Sequence, residues 1–207
     1  MGDGEAGWPS PVDWAVAERP LEGESLSGDM YVAAPTGAGA LLAVIDGLGH
    51  GPEAAHAAGR AVDVLTAQPE ARVDALLEAC HQAMRRTRGA AITVVSVDAT
   101  EQRLDWIGVG NVEGRVLRGI TAEGQADQAL LLRAGVVGYR MPPVRVDTES
   151  LGAGDLVILA SDGLDPGFGE SVDRQADPQA IADDLLARHG KPIDDALVLV
   201  ARLGADR

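Results

Sequence analysis

Between Ala40 and Asp46 the chain reads ALLAVID, an apolar run that ends on an acid, and short runs of this kind recur through most of the sequence. Runs this short, bounded by turn residues, suit strands with both faces covered. DWAVAERP and DMYVAAP precede it as strands, and TGAG, Thr36 to Gly39, is a turn that folds DMYVAAP back on ALLAVID as a hairpin. After DGLGHG the period lengthens. Pro52 suits a first helical turn, and Ala54, Ala58, Ala61, Val62 and Leu65 then share one face. Val73, Leu76, Leu77, Cys80 and Met84 make a second helical stripe. From Ala91 the short runs return: AITVVSVDA, RLDWIGVG, VEGRVLRG, QALLLRA, VRVDTES and DLVILAS, separated by Gly, Asp, Asn or Pro. PQAIADDLLARHG predicts a late helix and DALVLVARL a last strand. This order favours antiparallel sheets with helices on their outer faces over repeated βαβ units.

Composition narrows the picture. A chain of 207 residues is expected to form one domain over 1–207, with residues 1–10 a flexible N-terminal segment. Aromatics are only 3% of a chain that is 46% hydrophobic, so the core falls to Ala, Val, Leu and Ile. Thirty-two acids against 17 Lys and Arg give a net charge of -15, which argues against nucleic acid or an anionic membrane as partner. The one cysteine, Cys80, excludes an intrachain disulfide and reads as a core thiol. The opening MGDGEAGWPSP lacks the basic and apolar regions of a signal peptide, and no apolar run approaches the roughly 18 residues of a membrane helix. A cytoplasmic protein is expected.

The glycines after ALLAVID raise two chemistries, a phosphate cradle or a metal site. A G-x-G-x-x-G count from Gly47 passes Gly49 and lands on Pro52, and Asp46 would repel a bare phosphate. The metal reading needs further acids, and the chain has them at the ends of other apolar strands: Asp29 in SGDMY, Asp162 in LVILASDGL, and the pair Asp194 and Asp195 in IDDALVLV. No Lys or Arg stands in those stretches, so carboxylates beside a core would be costly unless they converge on cations. Oxygen-only donors suit Mg²⁺ or Mn²⁺ rather than zinc. Taken singly, each motif has an ordinary reading: an Asp-Gly turn, a strand start, a solvated Asp pair, and a hairpin turn for GVGN with Asn111. His50 beside a helix start reads as a hydrogen-bonded structural residue, His56 as solvent-facing, and MRRTR, Met84 to Arg88, as a solvated cationic helix end favoured by the dipole.

In order along nearly the whole chain, SGDMY, DGLGHGPEA, GVGN, LASDGL and DDALVLV resemble the SpoIIE-type branch of the metal-dependent, protein phosphatase 2C-like phosphatases. The resemblance implies an α+β fold, two antiparallel β-sheets packed as a sandwich flanked by helices (αββα). It implies two Mn²⁺ or Mg²⁺ ions at one edge and hydrolysis of phosphoserine or phosphothreonine. Asp46 would bridge the two ions, the Gly47 carbonyl and Asp162 would bind one of them with Asp194, and Asp29 would hold the second. Asp195 would support the site from behind, with Asn111 and His50 as further neighbours. The two ions would generate a hydroxide for direct attack, which fits the lack of a Ser, Cys or His nucleophile constellation.

The absence of a sensor domain ahead of the motifs makes the chain similar to the stand-alone phosphatases of stressosome scaffolds. The implied partners are phosphorylated STAS-domain proteins, stressosome scaffolds or, as the alternative within the enzyme class, anti-anti-sigma factors. A catalytically silent binding module is the alternative from another class. The chain departs from the eukaryotic 2C branch in carrying Leu48 where that branch has a histidine, and it has no match to that branch's phosphate-binding arginine near the N-terminus.

Overall fold

A computed structural model of the chain describes residues 11–119 and 126–204; the expected flexible segment 1–10 lies outside the described residues. In order, the described elements are β1 (Val12–Arg19), β2 (Asp29–Pro35), β3 (Gly39–Gly47), α1 (Pro52–Ala67), α2 (Val73–Met84), β4 (Ala90–Asp98), β5 (Arg103–Val109), β6 (Glu113–Leu117), β7 (Gln128–Ala129), β8 (Leu132–Arg133), β9 (Asp147–Ser150), β10 (Leu156–Ala160), α3 (Pro178–His189) and β11 (Ala196–Leu203). They form two sheets, ordered β1-β11-β10-β6-β7 and β2-β3-β4-β5-β8, with β9 also on β5.

Strict alternation along the buried strands builds three apolar layers. Leu42 and Val44 of β3 point between the sheets, where they pack in one core with Leu197, Leu199 and Leu159. Leu41, Ala43 and Ile45 point the other way, onto Ala57, Ala61, Leu65, Leu77 and Cys80 of α1 and α2. On the far side, Ile181, Ala182 and Leu185 of α3 cover Ile158, Val198 and Val200. The result is the αββα sandwich expected, and the absence of polar faces on β3 explains its continuous apolar run.

Pro52 takes the first turn of α1 behind Gly51, whose φ of 73° no side chain favours. In α3 the Asp177 carboxylate accepts the Ala180 N–H at 2.9 Å as an N-cap. No helix among the described residues is long and apolar enough to cross a membrane.

Three expectations are corrected. QALLLRA is not one strand: β7 pairs antiparallel with β6 in one sheet, and β8 pairs parallel with β5 in the other. Between them Leu130 is buried in the inter-sheet core, so the leucine run crosses from sheet to sheet rather than extending along one. It does so against glycines, since a Cβ on Gly114 would lie 2.5 Å from Leu130 and one on Gly108 2.4 Å from Leu132. Of VRVDTES only Asp147–Ser150 pairs, while Val144 and Val146 pack on the helix-side core instead. GVGN is not a hairpin turn; it carries the chain from β5 in one sheet to β6 in the other.

Candidate active site

The alternation that fills the sandwich also aims the acids. Asp46 continues the inward parity of Leu42 and Val44, and in the β2–β3 ladder it stands directly opposite Asp29. Two carboxylates directly opposed on one face repel, an arrangement that costs stability unless something compensates. Across the sandwich mouth, Ser161 continues the parity of Val157 and Leu159, and Asp195 that of Leu197 and Leu199. Asp162 follows β10 and Asp194 precedes β11, so four strand ends meet at one edge.

Burial and mutual repulsion shape these acids. Asp29 is 5% exposed, and its carboxyl is pushed up to about 7, first by burial and then by Asp195, Asp162 and Asp194, with the Ser161 hydroxyl working the other way. Asp46 is pushed up to about 8, again first by burial, then by Asp29, Asp162 and Asp194. Asp194 is raised by burial and by Asp162. The Oδ2 atom of Asp29 is buried without a hydrogen-bond partner. Among the described residues no three His, Cys, Asp or Glu side chains are drawn together as a ready cage for a metal ion. The carboxylates instead share one edge, where Asp162 and Asp194 raise the carboxyls of Asp29 and Asp46. An orphaned buried carboxylate oxygen and a set of hard oxygen donors fit divalent cations such as Mg²⁺ or Mn²⁺.

The remaining expected residues divide. Asn111 Nδ2 donates to Asp162 Oδ2 at 2.5 Å, which brings GVGN to the site. Asp195 uses both oxygens on the β1–β2 loop, accepting the Leu21 N–H at 2.7 Å and the Gly28 N–H at 2.8 Å. Its work is therefore to hold that loop. His50 is exposed and pairs its Nδ1 with Glu24 Oε1 at 2.9 Å, not with any of the acids. Gly47 faces α1, where a Cβ would come within 2.3 Å of the Ala54 carbonyl oxygen, and its N–H donates to the Gly28 carbonyl at 3.1 Å. Gly163 has no room either, since a Cβ there would meet the Asp195 carbonyl oxygen at 1.9 Å.

Two site residues were not singled out in the sequence. Lys191 Nζ donates to the Asp162 carbonyl at 2.5 Å and lowers the Asp194 carboxyl against the repulsion around it. It sits outside the acid stretches and reaches them by a turn, so only its place before IDDALVLV could have flagged it. Ser161 is 2% exposed, and its hydroxyl accepts the Leu197 N–H at 3.0 Å; its position beside Asp162 in LASDGL was the available signal.

The sequence pattern of the family described as Stage II sporulation protein E (SpoIIE) matches residues 36–204. The phosphoserine phosphatase RsbX of Bacillus subtilis (strain 168) is 26% identical over 143 residues, 69% of this chain and 70% of that protein. Among solved structures, a chain from work on the bacterial stressosome, as a modular system adapted to control secondary messenger signalling, superposes with a TM-score of 0.83. It is 28% identical and matches over 92% of this chain and 99% of its own. RsbX in complex with magnesium gives a TM-score of 0.80 at 22% identity, over 93% of this chain and 96% of that one, and shows the shared fold. A fold, a cluster of acids at strand ends and a family pattern over most of the chain agree: the chain belongs to the SpoIIE family and is a phosphatase of the protein phosphatase 2C-like kind.

Proposed function

We propose that the acid cluster holds two divalent cations, Mn²⁺ or Mg²⁺. The chain then hydrolyses phosphoserine or phosphothreonine on folded STAS-domain proteins of a stressosome scaffold, in the cytoplasm, and so resets a stress-signalling pathway. The observation that carries this reading is a buried Asp29 directly opposite the half-buried Asp46, with Asp29 Oδ2 unpartnered. Such a pair is costly in a protein that has no cation to put between them.

In this reading Asp46 would serve both ions, the Gly47 carbonyl, Asp162 and Asp194 would serve one of them, and Asp29 the other. Asn111 fixes the Asp162 carboxylate, and Asp195 fixes the β1–β2 loop that delivers Asp29. The bound ions would supply hydroxide near neutral pH and positive charge for the phosphate. The substrate class is supported by the name of the 26% identical relative and by the stressosome setting of the 28% identical structure.

The test is phosphate release from a folded, phosphorylated STAS domain and from a matched phosphopeptide, each with chelator, Mn²⁺ and Mg²⁺. Turnover that needs the metal and prefers the folded domain is expected, because a chain of charge -15 gains no long-range steering toward a phosphoprotein and must rely on surface contact. Full turnover in excess chelator overturns the metal reading. A phosphorylated anti-anti-sigma factor preferred over a scaffold domain moves the substrate to that alternative.

A further inference from the structure

MRRTR is a solvated helix end as expected, with Arg85, Arg86 and Arg88 exposed, yet its backbone is tied down. Thr87 Oγ1 donates to the Met84 carbonyl at 2.8 Å and accepts the Gly89 N–H at 3.0 Å, which closes α2. Gly89 then turns with φ at 85°, and its carbonyl accepts the Leu48 N–H at 3.0 Å, two residues beyond Asp46. The backbone at Arg88 is thereby pinned to the loop that leaves the acid cluster.

The Arg88 side chain lies over that loop. Its Nη1 is 2.8 Å from where a Cβ on Gly49 would stand, so the guanidinium lies on bare backbone that a side chain would block. Its Nη2 pairs with Glu53 in the first turn of α1, and the Arg88 side chain stays 50% exposed. Gly49 in turn packs its carbonyl against Gly28, the residue before Asp29. The guanidinium thus has one nitrogen on the Glu53 carboxylate and another over the loop that follows Asp46.

Resting on the phosphatase reading above, we propose that Arg88 is the phosphate-orienting cation of this site. Glu53 holds its fork ready, and a phosphoryl group takes the donors that a half-exposed, weakly held ion pair gives up. An arginine suits the task because its planar fork matches two phosphate oxygens and it stays charged throughout.

The experiment measures KM for p-nitrophenyl phosphate, inhibition by inorganic phosphate, and half-activation by Mn²⁺ in wild type, Arg88→Ala, Arg88→Lys and Glu53→Gln. Arg88→Ala should raise both KM and the phosphate inhibition constant by about tenfold, with half-activation by Mn²⁺ unmoved and Arg88→Lys recovering part of the loss. Glu53→Gln, which frees the fork, should tighten phosphate inhibition by about threefold. Phosphate constants in Arg88→Ala equal to those of wild type overturn the proposal, as does a parallel loss of Mn²⁺ activation, which marks a structural role. If Arg88→Ala does not fold, Glu53→Gln decides: tighter phosphate inhibition supports the role and no change overturns it. Wild type that releases no phosphate in Mn²⁺ overturns the phosphatase reading and this proposal with it, whereas active wild type with an indifferent Arg88 overturns this proposal alone.

Discussion

Asp46 and Asp29 repel across one rung of the β2–β3 ladder, so a neutral isostere at one of them should relax the metal-free fold while removing one of the proposed metal donors. Asp46→Asn is expected to keep or raise the melting temperature in chelator and to lose turnover in Mn²⁺ by more than about a hundredfold, beyond what outer-shell changes cost. Scanning calorimetry and phosphate release check the two halves separately. Lys191 acts with the opposite sign. Its ammonium group lies on the Asp162 carbonyl, near Asp194, and repels an incoming cation. Lys191→Gln should therefore lower the Mn²⁺ concentration for half-activation by about two- to fivefold, read from a metal titration of activity. The acids were legible because each closes or opens an apolar strand, a place where an unpaired carboxylate has few explanations. Lys191 was not, because it reaches the Asp162 carbonyl through a turn whose path no periodicity encodes.

The same contrast holds for whole elements. β3, β4, β10, β11 and the three helices followed from apolar period and length, since burial on two faces or one stripe leaves a plain pattern. The leucine run after β6 misled because a strand and a crossing between sheets demand the same apolar residues, and only the missing side chains at Gly108 and Gly114 distinguish them. Asp155 was hidden for a related reason: one acid at the start of β10 resembles any turn. It is 1% exposed and pairs with Arg118 Nη1 at 2.9 Å, while its oxygens accept the Gly119 N–H at 2.6 Å and the Gly152 N–H at 2.9 Å. Arg118 also reaches Glu149 at 2.8 Å and the Ser150 carbonyl at 2.7 Å, which ties β6, β9 and β10 together at the end of the sandwich away from the acids. Asp155→Ala strands a buried guanidinium and should cost about 3–5 kcal/mol in urea unfolding. The surviving fraction of folded protein should keep its KM, since the network lies at the opposite ends of these strands from Asp162 and Asn111.

For the molecule as a whole, the raised carboxyls link stability to pH. Asp29 near 7 and Asp46 near 8 in the folded protein, against 3.8 for a free carboxyl, mean that the folded state binds more protons than the unfolded one between about pH 4 and 8. The stability of the metal-free protein must then fall as pH rises through that window, in the same direction as the self-repulsion of a -15 chain. Melting temperatures in chelator should decline from pH 5 to pH 8, and the gain on adding Mn²⁺ should be larger at pH 8 than at pH 5. A flat profile in chelator counts against the opposed Asp29 and Asp46 carboxyls. One more consequence lies in the pairing of Val12 with Leu203 and in the hold of Asp195 on Leu21 and Gly28. The segment that delivers Asp29 is fastened by a residue made more than a hundred and sixty positions later. A nascent chain can pair Asp29 with Asp46 early in the β2–β3 hairpin, but Asp162 and Asp194 join them only after β10 and β11 are made, so the cluster cannot be complete before the sandwich is.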